Sequence, residues 1–297
     1  MLDILLLVGT NMPVLKGKWL QYATGPQGRQ GNDATSANGK IYAFGGFDGS
    51  NFPGDFKSYT AETNLWETKA SGPPGRWNAQ LNGTTDKIFL YGGQNNSGYV
   101  QDMSVYDIAT NTWSTRTPPS QRIHAASATI GNKIYYISGI DTAGTTLVNV
   151  YDTVANTWTN LLAAPAKRYK HACAAVGTKI YVYGGADPSI GTRLADFWVY
   201  DTVANTWTVL PNGPVARWGH TMVNIEDKIY VYGGGLATLG TVDQLWCYDP
   251  AADKWTQLEA GGIAREDHGA AVIGRTMYVT GGAGPGANAG CFGYTPP

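Results

Sequence analysis

Residues 168–207 read RYKHACAAVGTKIYVYGGADPSIGTRLADFWVYDTVANTW, and the reading of this stretch decides the fold. His171 to Val176 is a short run rich in small residues. Gly177-Thr178-Lys179 is a tight turn, and Ile180 to Tyr183 is a second short strand stopped by Gly184-Gly185. A long loop runs to Ala195, Phe197 to Tyr200 makes a third strand, Asp201 to Asn205 turns, and Trp207 opens a fourth. The same order recurs along the chain. Its double glycines stand at Gly45-Gly46, Gly92-Gly93, Gly184-Gly185, Gly233-Gly234 and Gly281-Gly282, with Ser138-Gly139 as the degenerate copy, 46 to 49 residues apart. A period near fifty built of short strands means a propeller with one four-stranded blade per repeat.

The innermost strand of a blade needs small side chains because blades converge on the axis, and Ala172, Ala174 and Ala175 meet that need. The glycine pair lets the backbone turn and approach its neighbour without a Cβ. Trp19 heads a lone strand with no third strand before it, and Cys291-Phe292-Gly293-Tyr294 is a third strand with no Trp after it. The expectation is an all-β, six-bladed propeller of four antiparallel strands per blade. Its ring is closed by the N-terminal strand completing the last blade, which leaves no open edge. The domain reading is an arm or extra strand over 1–16 and one propeller over 17–297.

The pattern resembles the kelch repeat. The marks are the apolar strand ending in Gly-Gly, a Tyr six or seven residues before Trp, and Asn or Asp two before it. They recur as Tyr59/Trp66, Tyr106/Trp113, Tyr151/Trp158, Tyr200/Trp207 and Tyr248/Trp255. The resemblance spans roughly residues 17 to 294. It implies that the Tyr and Trp pack between blades. It also implies a function class that spans binding modules and enzymes.

Composition narrows the function. The 297 residues carry a net charge of −1 with only 14% charged, so nothing grips a phosphate backbone and nucleic acid is not an expected partner. Cys173, Cys247 and Cys291 are odd in number and lack metal spacing, which points to core thiols rather than disulfides or zinc. The apolar run Ile4 to Val8 is far too short to span a bilayer and lacks a basic region before it. A cytoplasmic monomer is the favoured expectation, with an extracellular or phage-associated protein as the alternative.

The long loops after Gly-Gly and the connections between blades fall on one face, which is therefore the expected ligand face. Six of the nine arginines, Arg29, Arg76, Arg122, Arg168, Arg217 and Arg265, follow the repeat Trp by nine or ten residues. Sixfold placement suggests a ring at the channel mouth that would favour carboxylate or phosphate ligands. The bland alternative pairs Arg29, Arg76, Arg168 and Arg217 with Asp55, Asp102, Asp196 and Asp243 as loop ties. Leu147 stands where Arg122 would find its acid and the loop AGPGANAG has none for Arg265, so these two are the leading ligand candidates.

His124, His171, His220 and His268 follow the arginines by two or three residues. They read as bonds to loop backbone, or else as acid–base groups. Trp77, Tyr169 and Trp218 directly follow arginines and offer an aromatic wall. Glu266 and Asp267 beside His268 are unusual, and Glu266 with His268 is the nearest thing to a catalytic pair. The Glu-x-x-x-Asp-x-x-x-His iron signature of kelch specifier proteins is absent, and neither metal nor cofactor is expected.

The leading functional reading is a binding module for an anionic peptide, protein or acidic sugar at the channel mouth. The alternative is a kelch-type epimerase, isomerase or lyase acting on an acidic small molecule. A third is a structural or receptor-binding part of a larger assembly.

Overall fold

A computed structural model of the chain describes residues 17–25, 29–141, 144–285 and 290–297. The arm expected over 1–16 lies outside the described residues. The described strands form a β-propeller of six four-stranded antiparallel sheets. In the first blade the strands are Asp33–Ala37, Lys40–Phe44, Phe56–Thr60 and Leu65–Thr68, paired in that order from axis to rim. The inner strands of blades two to five are Gln80–Gly83, Ala126–Ile130, Ala172–Val176 and Thr221–Ile225. The sixth blade is Gly269–Ile273, Thr276–Thr280 and Cys291–Thr295, with Lys18–Tyr22 as its outermost strand. Trp19 sits opposite Tyr294 in that pairing, so residues from both ends of the described chain share one sheet.

Burial follows position in the blade. Second strands are almost wholly buried, whereas outermost strands leave most of their residues exposed. The apolar core lies between sheets: Tyr135, Val150 and Ile137 of blade three pack on Ile180, Val182 and Trp198 of blade four. Each such slab is a sandwich of two twisted faces.

The repeat motif is a lock between blades. Tyr106 Oη donates to Asn111 Oδ1 at 2.7 Å, and Asn111 holds a left-handed φ of 54°. The same Oδ1 accepts the backbone N–H of Ala70, at the end of the preceding blade, at 3.0 Å. Trp113 Nε1 donates to the carbonyl of that same Ala70 at 3.2 Å. Asn64 and Trp66 grip Ala23 in this way, and Asn205 and Trp207 grip Leu162. One residue thus has both backbone polar groups satisfied by the next blade, which would otherwise be costly to leave unpaired beneath a packed Trp. In blade five the equivalent residue is Pro211, which has no N–H, and Asp253 replaces the Asn.

The glycine pair forms the second lock. The second residue of each pair donates its N–H to the carbonyl of the next blade's repeat arginine, from Gly46 to Arg76 at 2.9 Å round to Gly282 to Arg29 at 2.7 Å. Gly92 shows why the first position is glycine: φ is 68°, and a Cβ there would lie 2.1 Å from the carbonyl oxygen of Arg122. In the degenerate copy Ser138 takes a φ of 51° instead.

Candidate functional site

Two residues beyond each repeat arginine, the chain makes a left-handed turn at Gly31, Asn78, His124, Lys170, Gly219 and Asp267. Their backbone N–H and C=O groups join blade to blade in a closed cycle. Asn78 donates to Gly31, His124 to Asn78, Lys170 to His124, Gly219 to Lys170, Asp267 to Gly219 and Gly31 to Asp267, over 2.7–3.3 Å. This collar rings the axis at the loop face. At Gly31 a side chain would meet Asn78 Oδ1 at 2.6 Å, so the collar is already full there.

Side chains of the collar close the opening. Lys170 Nζ bonds Asp267 Oδ2 at 2.5 Å, Gln30 Nε2 donates to the same oxygen at 3.0 Å, and Asn78 Nδ2 lies 3.3 Å from His124 Nε2. Burial, only partly offset by the Asp267 carboxylate, holds the His124 imidazole down to about 4, so it is neutral at physiological pH.

Outside the collar runs an arc of rings. Phe47 and Phe52 pack on Trp77, Trp77 meets His124 edge-on at 6.3 Å, His124 meets Tyr169 at 5.8 Å, and Tyr169 meets Trp218 at 6.1 Å. Trp77, Tyr169 and Trp218 are half-buried and keep surface at the mouth. Arg193 lies 4.3 Å and Lys170 5.0 Å from the Trp218 ring, and Trp218 Nε1 donates to Glu266 Oε2 at 3.0 Å. Cation–π attraction and this hydrogen bond fix the indole. Arg193 and the ring contact of His124 have no distinguishing mark in the sequence; only their place in the fold brings them to the arc.

The six repeat arginines are buried beneath the loops. Arg29, Arg76, Arg168, Arg217 and Arg265 each donate to the carbonyl of the first glycine of their own blade's pair. Arg29, Arg76 and Arg168 pair with Asp55, Asp102 and Asp196. Arg217 departs from the expected partner: it donates to Gln244 Oε1 at 2.8 Å rather than to Asp243. Arg122 donates to Asn149 Oδ1 at 2.6 Å, while Asp141 attracts it from further off. Arg265 donates to the carbonyls of Gly281 and Gly290. Arg122, Arg217 and Arg265 therefore hydrogen-bond to neutral acceptors.

Histidines 171, 220 and 268 are also buried, one register further in, and burial holds each well below the ordinary imidazole range. His171 Nε2 lies 3.1 Å from the carbonyl of Ile137, and His268 Nε2 2.9 Å from Thr221 Oγ1. Glu266 and His268 thus engage different partners, Trp218 and Thr221. Burial, then the Asp267 charge, raises the Glu266 carboxyl above the ordinary carboxylate range. Among the described residues no group of three His, Cys, Asp or Glu side chains is placed to hold a metal ion.

The sequence profile of the KLHDC2/KLHL20/DRC7 kelch-repeats domain matches residues 16–164 and again 126–292. The chain belongs to the kelch-repeat family. Kelch-repeat domains serve as protein-interaction and binding modules in general. Compared with curated protein sequences, this kelch chain gives no match. No helix of the described residues is long and apolar enough to cross a membrane.

Proposed function

We propose that the chain is a non-catalytic binding module whose loop-face mouth takes an anionic peptide, protein or glycan. The observation that carries this is the arc of half-buried rings, Trp77, Tyr169 and Trp218, held in place around a blocked axial opening. A preorganised aromatic surface gives large contact area at low ordering cost. Arg193 stands beside Trp218, and among the described residues three buried guanidinium groups below lack a bonded carboxylate, which supports a preference for anions. Glu266 and His268 have separate bonding partners, which favours binding over acid–base chemistry at this mouth.

The test is retention of the chain on immobilised acidic peptides and uronic-acid oligosaccharides. Trp77→Ala and Tyr169→Ala should each abolish retention with little change in Tm. Retention unaffected by both substitutions, or no retention on either material, sinks the reading.

A further inference from the structure

The axial channel is a second site, separate from the mouth. A cavity of about 490 Å³ runs along the inner strands beneath the collar. An opening of about 710 Å³ on the opposite face shares the lining residues Ser36, Gly83 and Val272 with it. The collar cycle and the Lys170–Asp267 pair close the loop end, so the channel opens toward the turns between first and second strands.

The wall is polar, with His124, His171, His220 and His268 beside its acids and amides. Asp33 heads the inner strand of the first blade and keeps part of its surface on the channel. Its Oδ1 accepts the N–H of Ala34 at 2.8 Å and its Oδ2 that of Leu81 at 2.7 Å. No Lys, Arg or His among the described residues forms an ion pair with it. Gln80, buried on the neighbouring strand and also lining the channel, leaves Oε1 without a donor, and so does Asn224 Oδ1. The one cation on the wall, Lys170, is already neutralised by Asp267. The channel therefore carries one carboxylate without an ion-pair partner among the described residues, on a wall where amide oxygens and ring nitrogens of His171, His220 and His268 also lack partners. Ala175, Ala270 and Val272 give it a smooth apolar side.

We propose that Asp33 and Gln80 bind a primary ammonium group on a short alkyl chain, which enters from the turn face and lays its methylenes on the alanine and valine wall. A carboxylate and an amide oxygen on the same channel wall suit an N–H-bearing cation, because each can accept a charge-assisted hydrogen bond from it. A bare metal ion fits poorly, since it would have to exchange its hydration for a single carboxylate and neutral oxygens. This inference does not depend on the role given to the mouth.

The experiment is titration calorimetry of the whole chain at neutral pH with n-butylammonium, and with tetramethylammonium as a cation lacking N–H. Saturable one-to-one binding of butylammonium is expected, with none for tetramethylammonium. Asp33→Asn should weaken it about tenfold or more and Gln80→Leu by a smaller factor, in line with loss of a charged and then a neutral partner. Carboxyl NMR gives a readout in the unaltered chain. Butylammonium should move the Asp33 titration to lower pH, while the nearby Tyr136 and Cys173 stay protonated. Absence of saturable binding, equal binding of both cations, insensitivity to both substitutions, or an unmoved Asp33 signal would overturn the proposal.

Discussion

Lys170 of the fourth blade and Asp267 of the sixth meet across Gly219 of the fifth, Nζ to Oδ2 at 2.5 Å, and so tie non-adjacent blades over the channel. The two side chains are 15% and 4% exposed, so neither can recover full hydration if the other is removed. Asp267→Asn and Lys170→Met should each destabilise by about 3 kcal/mol, since one buried charge is left alone. The double variant should cost clearly less than the sum, giving a coupling of roughly 1–3 kcal/mol in urea unfolding. Strict additivity would show that the pair is not a tie.

Asn111 answers two donors and holds the chain at positive φ, so three functions sit on one residue. Asn111→Ala should cost about 2–4 kcal/mol from two lost hydrogen bonds and a strained left-handed Ala. Asn111→Gly should recover about 1 kcal/mol of this, because only the backbone strain is relieved. If Ala and Gly cost the same on thermal unfolding, the conformational share of the argument is wrong.

Much of this scaffold is legible in the residues alone. Tyr, Asn and Trp at fixed spacing, with Gly-Gly at the period, carry the strand order and the closing of blade six by Trp19. The arginine register is just as regular, but regularity alone does not tell a ligand ring from mortar. Each arginine carbonyl accepts from the preceding blade's glycine pair, and five of the side chains donate to their own blade's pair. Sequence spacing cannot show which way a guanidinium turns. Gln244 rather than Asp243 meets Arg217 because Gln244 holds the register of Asp55, Asp102 and Asp196, immediately before the third strand and four residues before the repeat Tyr. The collar leaves no sequence mark because its six residues share only a backbone conformation, and Gly, Asn, His, Lys and Asp have little else in common.

The blade locks are not uniform. Trp66 Nε1 donates to the carbonyl of Ala23 at 3.1 Å, whereas Trp158 Nε1 is buried without an acceptor among the described residues. Trp→Phe removes the indole N–H at both sites and a similar apolar area. At Trp158 it also removes an unsatisfied donor, which is worth roughly 1–2 kcal/mol. Trp158→Phe should therefore be the milder substitution by about that amount. Equal losses of Tm for the two variants would mean that Trp158 finds a partner in solution.

Stability should respond to pH in two opposed ways. Burial depresses His171, His220 and His268, so the folded state resists their protonation. Their contribution is present above the unfolded value of about 6.5 and is lost as pH falls below it. Asp33 acts in the other sense. Burial, partly offset by the N–H groups of Leu81 and Ala34, raises it from 3.8 to about 6. The folded state then holds the extra proton, so this contribution is present below 3.8 and is lost as pH rises through about 6. Asp33→Asn stays neutral throughout and should gain on the parent chain as pH rises from about 4 to 7, by on the order of 1–3 kcal/mol. Urea unfolding of both chains across that range is the measurement. A difference between them that does not change with pH would show that the Asp33 carboxyl ionises in the fold as freely as in the unfolded chain.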